Sequence, residues 1–466
     1  MKTKNLYLKL GLLGVVLLSL YTGLADSDWY WQVSLGESIV KSGKFNDFSS
    51  IVWGDNLGYY LDHEWLSNVI FYLLSLFPYG MIVTKFILVS LCCLSVYLFI
   101  KLNNKDNSVF VVLCTLFILT ICCLTVFKVK PYMFSFIFLL FELYFLDRLD
   151  NKSSTVGLFI ISVLWVNMHG SYILYLTVFG LYVLLNKRGL KCLIISALGS
   201  LINPFGYKLL LFNFTHSNDK MMKVLVQDWK AVDCKTSLGV VIFLVIAFYI
   251  FIISKLKNKS NFSLLLSLAM LFLTLSSARH ILYFVVSIIY LLVSSSISED
   301  FKISNEFLKY CSISILFLGI LCSTNLLTTK DYKQDYMFNF VDDSTISNIN
   351  KYYKDKDYDG LFISSCFNSI HGDSIKTFTC GIYPLVSNRV KDEIYMTWYS
   401  TYSDIEQIID YYKLTGFVVD KYSKFEGYTR SSVLYQYLSS NDDYVCLNDS
   451  DYYGFFVKKS IVDKIK

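Results

Sequence analysis

Long apolar runs dominate the first 325 residues of this chain and restrict what it can fold into. The runs are roughly 15 to 22 residues long, and a helix needs about 20 apolar residues to cross a bilayer. With 55% hydrophobic residues and a mean hydropathy of +0.48, the chain is also too apolar for an ordinary soluble protein. We therefore predict an all-α polytopic membrane protein with about eleven transmembrane helices. Their approximate limits are 5–25, 80–101, 108–127, 131–147, 154–168, 171–186, 190–203, 238–254, 261–277, 280–297 and 307–325.

The basic residues predict the orientation. Lysine and arginine in short loops stay on the cytoplasmic side, and here they gather at every second polar break, beginning with Lys2 and Lys4. In the plasma membrane the amino terminus is therefore expected inside, and an odd number of spans places residues 24–66 and the carboxyl-terminal region outside. All five histidines then fall on the outer side: His63, His169, His216, His280 and His371. Alternatively, the first run is a cleaved signal peptide, because it is short and follows a charged start.

The first outer loop, residues 24–66, is the most polar part of the membrane region. Its two ends carry the ionisable and aromatic residues Asp26, Asp28, Trp29, Tyr30, Trp31, Asp62, His63, Glu64 and Trp65. From Asp28 the pattern predicts a helix that lies flat on the membrane, with Trp29, Val33, Gly36 and Val40 on one side. Two sets of ionisable groups could then meet at the lipid surface, as in an active site. Alternatively, the charged groups are only solvated and the aromatics form an interfacial belt.

Two outer segments place polar groups near spans. Lys128 and Lys130 stand outside against the positive-inside trend, so they either bind a lipid phosphate or are snorkelling lysines. Asn167 and His169 join two short spans, where they either line a cavity or cap a helix hairpin. Each pair therefore has a functional and a purely structural interpretation.

Arg279 and His280 lie between two apolar runs at the predicted outer face. A guanidinium there is suited to hold a phosphate, because it makes paired, charge-assisted hydrogen bonds. The alternative is a salt bridge from Arg279 to a carboxylate of the first outer loop. A phosphate-sugar site needs both signs of charge close together, so we expect Asp26 and Asp28 within a few ångströms of this pair.

The order of these features resembles the GT-C class of polytopic glycosyltransferases, closest to the bacterial protein mannosyltransferase-like and RgtA-type enzymes. An acidic pair follows the first membrane helix, then come an amphipathic helix ending at Gly43 and the sequence HEWL. The other matching segments are LWVNMHGSY (164–172), INPFGYKLLLF (202–212), VQDW (226–229) and ARHILYF (278–284). The resemblance covers most of residues 1–300. It implies transfer of a sugar from a polyprenyl-phosphate carrier to an acceptor at the outer face, in glycan biosynthesis of the cell envelope.

The resemblance also implies roles for individual residues. Asp28 or Asp26 would be the base, the other orienting the acceptor, and a divalent metal ion, if one is used, would bind to this pair. The remaining residues fall into three groups: Glu64 and His63 completing the catalytic site, Arg279, His280, Lys128 and Lys130 facing the donor phosphate, and Asn167, His169 and Trp31 lining the cavity. In the commonest family pattern Asp is followed directly by Glu, whereas here Ser27 separates two aspartates. The choice of base between them is therefore open.

After Leu327 the composition becomes mixed, which predicts that residues 1–327 form the transmembrane domain and residues 328–466 a soluble extracytoplasmic α/β domain. Polar helical stretches alternate there with short apolar runs, as expected for a small sheet with helices. The predicted helices are 344–353, 403–412 and 430–438, and the predicted strands are 361–364, 416–420, 443–447 and 454–458. In an oxidising compartment Cys366 and Cys380 are close enough in sequence to form a disulfide.

Two other functions remain open. A polymerase or ligase that joins whole lipid-linked glycans would also place basic residues outside, but would not require the acidic loop. A non-enzymatic transporter of the same lipids would usually show internal repeats and broken helices at the membrane midplane, and neither is evident. The expected partners are a polyprenyl-phosphate sugar, a glycan, lipid or protein acceptor and membrane lipids, with no nucleic acid.

Overall fold

The computed structural model describes most of the chain, and the regions it describes are mainly helical with a small sheet region. The described residues are 2–21, 28–54, 57–103, 105, 108–216, 229–297, 303–328, 341–364, 367, 370–371, 373–380, 382–425 and 428–464. The chain divides into two compact units. The helical unit comprises Met1–Asp26 and Leu74–Tyr332, and the sheet unit comprises Ser27–Leu73 and Lys333–Lys466. From Ser27 onward, the first outer loop thus belongs to the same unit as the carboxyl-terminal segment.

The helical unit is built from apolar helices with short connections. Its helices are α1 (Lys2–Tyr21), α4 (Gly80–Leu102), α5 (Val109–Cys122), α6 (Tyr132–Leu146), α7 (Lys152–Met168), α8 (Tyr172–Asn186), α9 (Leu190–Gly199), α10 (Tyr207–His216), α11 (Ser237–Lys255), α12 (Asn261–Ser276), α13 (Ile281–Ser294) and α14 (Asn305–Thr328). Two-residue strands, β1 (Leu256–Lys257) and β2 (Ser296–Ile297), pair antiparallel after α11 and α13. The segment after the seventh predicted span contains α10, and residues 217–228, which follow it, lie outside the described residues.

Within the described part of the chain, four helices are long and apolar enough to cross a membrane: Lys4–Tyr21, Gly80–Leu102, Ser237–Lys255 and Asn305–Thr324. The other predicted spans coincide with apolar helices of 10–17 residues. A 17-residue helix is about 26 Å long, against a hydrocarbon core of about 30 Å. The count of about eleven spans therefore stays a prediction.

Small residues hold α1 against α14. A Cβ atom added at Gly14 would lie 2.5 Å from the backbone nitrogen of Leu316, and one at Gly319 would lie 2.5 Å from the carbonyl oxygen of Gly14. Ser323 adds a hydrogen bond from its Oγ to the carbonyl oxygen of Leu17, at 3.0 Å. In lipid there is no hydrophobic force that drives helices together, because the surroundings are as apolar as the side chains. Small residues, which let two helix backbones approach closely, are therefore typical of helix pairs in membranes.

Each predicted helix and strand of the carboxyl-terminal part of the sheet unit has a counterpart at about the predicted position. The helices Tyr383–Ile394 and Lys459–Val462 and the strands Tyr422–Phe425 and Tyr428–Ser431 were not predicted. Its helices are α15 (Asp343–Tyr353), α16 (Tyr383–Ile394), α17 (Tyr402–Tyr412), α18 (Val433–Ser440) and α19 (Lys459–Val462). Its strands are β3 (Leu361–Ile363), β4 (Gly416–Asp420), β5 (Tyr422–Phe425), β6 (Tyr428–Ser431), β7 (Tyr444–Asp449) and β8 (Tyr453–Lys458). Local signals explain the match, as in the capping box at the start of α17, where Thr401 and Asp404 satisfy each other's backbone N–H groups.

The main sheet has the order β3-β4-β8-β7, with β3 and β4 parallel and the other neighbours antiparallel. Buried apolar residues of β3, β4 and β8 form its core together with α15, α17 and α18. Gly416 permits this packing, because a Cβ atom there would collide with the Tyr353 hydroxyl. The predicted Cys366–Cys380 disulfide involves Cys366, which lies outside the described residues.

The amino-terminal part of the sheet unit contains α2 (Asp28–Ser42) and α3 (Trp65–Ser75). The helix predicted from Asp28 is present and ends before Gly43, whose φ of +70° is a conformation that glycine adopts without strain. The predicted apolar side was wrong in part. Val40 is exposed, and the buried face runs instead through Trp29, Trp31, Gln32, Leu35, Gly36 and Ile39. The reason is that α2 packs on α3, where a Cβ atom at position 36 would collide with the Asn68 carbonyl.

Candidate functional site

The start of α2 places Asp28 in a defined position. Asp28 is the first residue of the helix, where a carboxylate is favoured by the helix dipole. Its Oδ1 accepts a hydrogen bond from Nε1 of Trp31 at 3.1 Å. Trp31, predicted to line a cavity, is therefore a direct neighbour of the proposed base. The other candidate base, Asp26, lies outside the described residues.

A second carboxylate, Asp62, is buried just before α3. Only 1% of its surface is exposed. Its Oδ1 accepts hydrogen bonds from the Glu64 backbone nitrogen at 3.0 Å and from Asn68 Nδ2 at 3.2 Å, and its Oδ2 accepts from Asn68 Nδ2 at 3.0 Å. Burial raises the pKa of Asp62 to about 7, although the two donors oppose the shift. This carboxyl group therefore changes between its protonated and ionised forms near neutral pH.

Between these aspartates lie the two residues of the HEWL sequence that were predicted to complete the site. Glu64 Oε2 accepts a hydrogen bond from Gln32 Nε2 on α2 at 3.2 Å, and its Oε1 lies 3.8 Å from His63 Nε2. The other ring nitrogen of His63, Nδ1, lies 3.4 Å from the Tyr60 hydroxyl. The side chains of His63 and Glu64 retain 16% and 13% exposure, so a ligand can reach them.

Tyr60 connects the two ends of the loop. Burial raises the pKa of its hydroxyl well above the usual value, and the charges of Asp62, Glu64 and Asp28 raise it further. Those three carboxyl groups therefore lie within electrostatic range of one side chain. We call Asp28, Tyr60, Asp62, His63 and Glu64 the acidic cluster. It combines carboxylates, an imidazole and a phenol, which are the groups used to accept or donate protons in catalysis.

Sequence reasoning gave roles to three members of the acidic cluster. It grouped Asp62 with the ionisable residues of the loop without assigning it a role, and it did not single out Tyr60. Asp62 stood next to His63 in the sequence, but only its burial distinguishes it from a solvated loop aspartate. Gln32 was also missed. Its position on the buried face of α2, opposite Glu64, depends on how α2 packs against α3.

Within the helical unit, the predicted phosphate-binding residues fall in two places. Lys128 and Lys130 lie in the connection between α5 and α6. Lys85, which sequence reasoning missed, is fully buried on α4 and lies within electrostatic range of Lys128. Lysine is almost never buried without a compensating group. Because Lys85 is fully buried, it cannot contact a ligand, and Lys128 and Lys130 remain the candidates in this region for binding a phosphate.

Arg279 and His280 lie in a short 3₁₀ turn, Ala278–His280, between α12 and α13. The Arg279 guanidinium stacks on the Trp229 ring, with 4.4 Å from its Cζ to the ring centroid. A stacked guanidinium keeps its N–H groups in the plane, where they can meet the oxygens of a phosphate. His280 Nδ1 lies 3.2 Å from the Leu273 carbonyl oxygen, which orients the imidazole ring.

The two predicted cavity residues of the helical unit are both buried and bonded to nearby helix ends. Asn167 Nδ2 donates to the carbonyl oxygens of Val163 at 2.7 Å and Ile202 at 2.8 Å. His169 Nδ1 lies 2.9 Å from Ser135 Oγ and 2.7 Å from Ser171 Oγ. These contacts favour the capped-hairpin interpretation of the segment.

The structure thus brings Asp28, Trp31, His63 and Glu64 together in the sheet unit, whereas Arg279 and His280 belong to the helical unit. The predicted proximity of the acidic loop to the arginine pair stays a prediction. Among the described residues, no group of three or more His, Cys, Asp or Glu side chains is arranged to hold a metal ion.

Comparison with models of known protein families finds no match, and comparison with curated proteins finds none either. The case for a function therefore rests on the residues themselves.

Proposed function

We propose that this chain is a glycosyltransferase of the GT-C kind, which moves a sugar from a polyprenyl-phosphate donor to an acceptor on the outer face of the membrane. The observation that carries the proposal is the acidic cluster. It gathers carboxylates, an imidazole and a phenol at the starts of α2 and α3, in the loop that directly follows the first apolar helix. Glycosyl transfer needs a base at the acceptor hydroxyl, and the cluster offers one.

In this mechanism Asp28 accepts the proton of the acceptor hydroxyl as that oxygen attacks C1 of the donor sugar. The bond from C1 to the carrier phosphate breaks, and the lipid phosphate leaves with the bonding electrons. Asp62 is too buried to touch substrate, so it acts as a positioning residue that fixes the start of α3 and, through it, His63 and Glu64.

The departing phosphate needs positive charge close to it, because negative charge builds up there in the transition state. We assign that role to Arg279 and His280, together with Lys128 and Lys130. The stacking of Arg279 on Trp229 supports the assignment, since it holds the guanidinium plane in one orientation.

The proposal includes the membrane arrangement of about eleven spans, with the amino terminus in the cytoplasm and the carboxyl-terminal domain outside. Reporter tags placed after Lys2 and after Lys466 are expected to lie on opposite sides of the membrane. Accessibility to an impermeant reagent or protease in intact cells measures this directly. A carboxyl terminus in the cytoplasm would contradict the proposal, because it would place the sheet unit on the wrong face for an external acceptor.

Membranes that contain the protein are expected to consume a radiolabelled polyprenyl-phosphate hexose, and the assay tests the proposed function directly. In this assay Arg279→Ala should weaken donor binding by about 10- to 100-fold, since hydrogen bonds between charged groups contribute about 1.5–3 kcal/mol. Its effect on kcat at saturating donor should be smaller, because the phosphate is already charged in the ground state.

Arg188→Ala is the matched control for that variant. Arg188 is also in the helical unit, but it bonds the Tyr182 hydroxyl at 2.7 Å and lies on the predicted cytoplasmic side. Its removal should leave donor affinity unchanged. Equal donor affinity in the Arg279→Ala protein and the wild type would remove Arg279 from the phosphate site.

A further inference from the structure

A cleft of about 520 Å³ opens in the sheet unit. One wall is formed by the loop segment around Asp47, Trp53, Tyr59 and Tyr60, and the opposite wall carries Asp357, Lys376 and Leu385. Its volume lies within the range of about 300–1,000 Å³ typical of small-molecule sites. The cleft thus joins two parts of the chain that are some 300 residues apart in sequence.

The first wall is held rigidly by the carboxyl-terminal part of the unit. Trp53 Nε1 donates to the Leu361 carbonyl oxygen at 2.7 Å, Arg389 Nη1 donates to the Trp53 carbonyl oxygen at 2.8 Å, and the Gly58 backbone nitrogen donates to the Leu385 carbonyl oxygen at 2.6 Å. These bonds fix the wall at three points, so the cleft is formed before a ligand arrives. A preformed site loses less conformational entropy on binding.

The cleft combines aromatic rings with hydrogen-bonding groups. Tyr59 is 65% exposed and offers a ring face to the opening. Hydrogen bonds from Ser49 hold the pKa of Asp47 below its usual range, so this carboxylate is ionised at neutral pH. On the other wall Lys376 Nζ lies 2.6 Å from Asp357 Oδ2, which leaves that carboxylate with further acceptor capacity.

The charged side chains that line the cleft indicate which class of ligand it can bind. Two carboxylates and one ammonium line the cleft, and the ammonium already pairs with Asp357, so the lining itself favours a ligand that donates hydrogen bonds over a phosphate. Carboxylates accept hydrogen bonds from hydroxyl groups strongly, and an aromatic ring packs against an apolar C–H face. A neutral sugar ring offers both hydroxyl donors and such a face. An acyl chain would offer these carboxylates no further hydrogen-bond donor.

We propose that this cleft binds a neutral sugar residue of the acceptor, which makes the acceptor a glycan. The inference rests on the proposed function and extends it to the acceptor class. Tyr60 connects the two sites, since it lines the cleft while its hydroxyl lies 3.4 Å from His63 in the acidic cluster. A sugar in the cleft would therefore share the Tyr60 side chain with the acidic cluster.

Saturation-transfer NMR on the full chain in detergent micelles tests the cleft without any turnover. The probes are methyl α-glucoside, methyl α-mannoside, methyl α-galactoside and N-acetylglucosamine, with glucose 1-phosphate as the charged comparison. We expect saturation transfer to at least one neutral sugar and weaker transfer to glucose 1-phosphate. No transfer to any neutral probe, or stronger transfer to the phosphate, overturns the proposal.

Two variants connect the signal to the cleft. Tyr59→Ala removes an exposed ring and Asp357→Asn removes a charged acceptor, and each should weaken binding of the responding sugar by about tenfold. Tyr452→Ala is the control, because Tyr452 is 73% exposed on the same unit but does not line the cleft. An equal loss in the Tyr452→Ala protein, or no loss in either cleft variant, would show that the sugar binds elsewhere.

Two further results distinguish a failure of the acceptor proposal from a failure of the glycosyltransferase function on which it rests. Asp28→Asn should leave sugar binding unchanged, because Asp28 does not line the cleft. Donor consumption that is insensitive to Tyr59→Ala at subsaturating glycan overturns the acceptor role alone. Sugar binding in a protein that consumes none of the polyprenyl-phosphate donors overturns the glycosyltransferase function.

Discussion

Replacing Asp28 by asparagine is expected to lower turnover by about 10²- to 10⁴-fold while donor affinity stays unchanged. Asparagine has the same size as aspartate and keeps a side-chain oxygen that can accept the hydrogen bond from Trp31 Nε1. The start of α2 should therefore keep its geometry. An amide, however, cannot accept a proton at neutral pH, so the loss should fall on kcat rather than on binding.

Measurement of initial rates and of donor binding on the same preparations separates these two effects. Glu37→Gln is the matched control, because it removes one carboxylate from the same helix at an exposed position that pairs with Lys41. Its turnover should equal that of the wild type. Since Asp26 is the other candidate base, the same assay is made with Asp26→Asn. If both aspartate variants turn over a panel of donors at nearly the wild-type rate, neither aspartate is the catalytic base. A transporter then becomes the better hypothesis.

The second large effect concerns the stability of the sheet unit. When the pH is raised from 5 to 8, we expect the free energy of unfolding of the Asp62→Asn protein to rise by about 3 kcal/mol relative to that of the wild type. Burial raises the folded-state pKa of Asp62 from 3.8 to about 7. Between these values the folded state holds a proton that the unfolded state has released, so this group makes stability fall as the pH rises. The fall begins above about pH 4 and is complete above about pH 7.

The wild type must be compared with the variant because another buried group changes the stability in the opposite direction as the pH rises. Burial lowers the pKa of His371, in the same unit, to about 4. Its contribution makes stability rise with pH up to about 6.5, the pKa of an unperturbed histidine. Subtracting the two proteins cancels the His371 contribution, since both contain it. Asparagine at position 62 keeps an oxygen for the Glu64 and Asn68 donors but has no charge to bury.

Hydrogen exchange of the α3 amides, corrected for the intrinsic effect of pH on exchange, is the measurement of choice. It reports the opening of this helix alone, and the chain as a whole need not unfold in a single step. Glu37→Gln again serves as the control, and its difference from the wild type should not change with pH. A constant difference between Asp62→Asn and the wild type from pH 5 to 8 would mean that Asp62 is ionised throughout that range.

Much of the local structure could be predicted from the sequence. Every predicted span coincides with an apolar helix, and each helix and strand predicted after residue 341 has a counterpart in the structure. The helices α16 and α19 and the strands β5 and β6 were not predicted. Apolar runs, caps and alternating patterns act over a few residues, so they can be recognised without the rest of the chain. Asp28, His63 and Glu64 were identifiable because they stand out as ionisable residues between two apolar runs.

Only the tertiary structure decided which residues share a unit and which side chains are buried. The sequence associated residues 24–66 with the membrane helices, whereas the structure groups 27–73 with the carboxyl-terminal segment, through bonds such as that from Trp53 to Leu361. The burial of Asp62, the true buried face of α2 and the cleft beside Tyr60 follow from the same long-range packing. Contacts across some 300 residues leave no local pattern, because their energy depends on both partners being brought together by the fold.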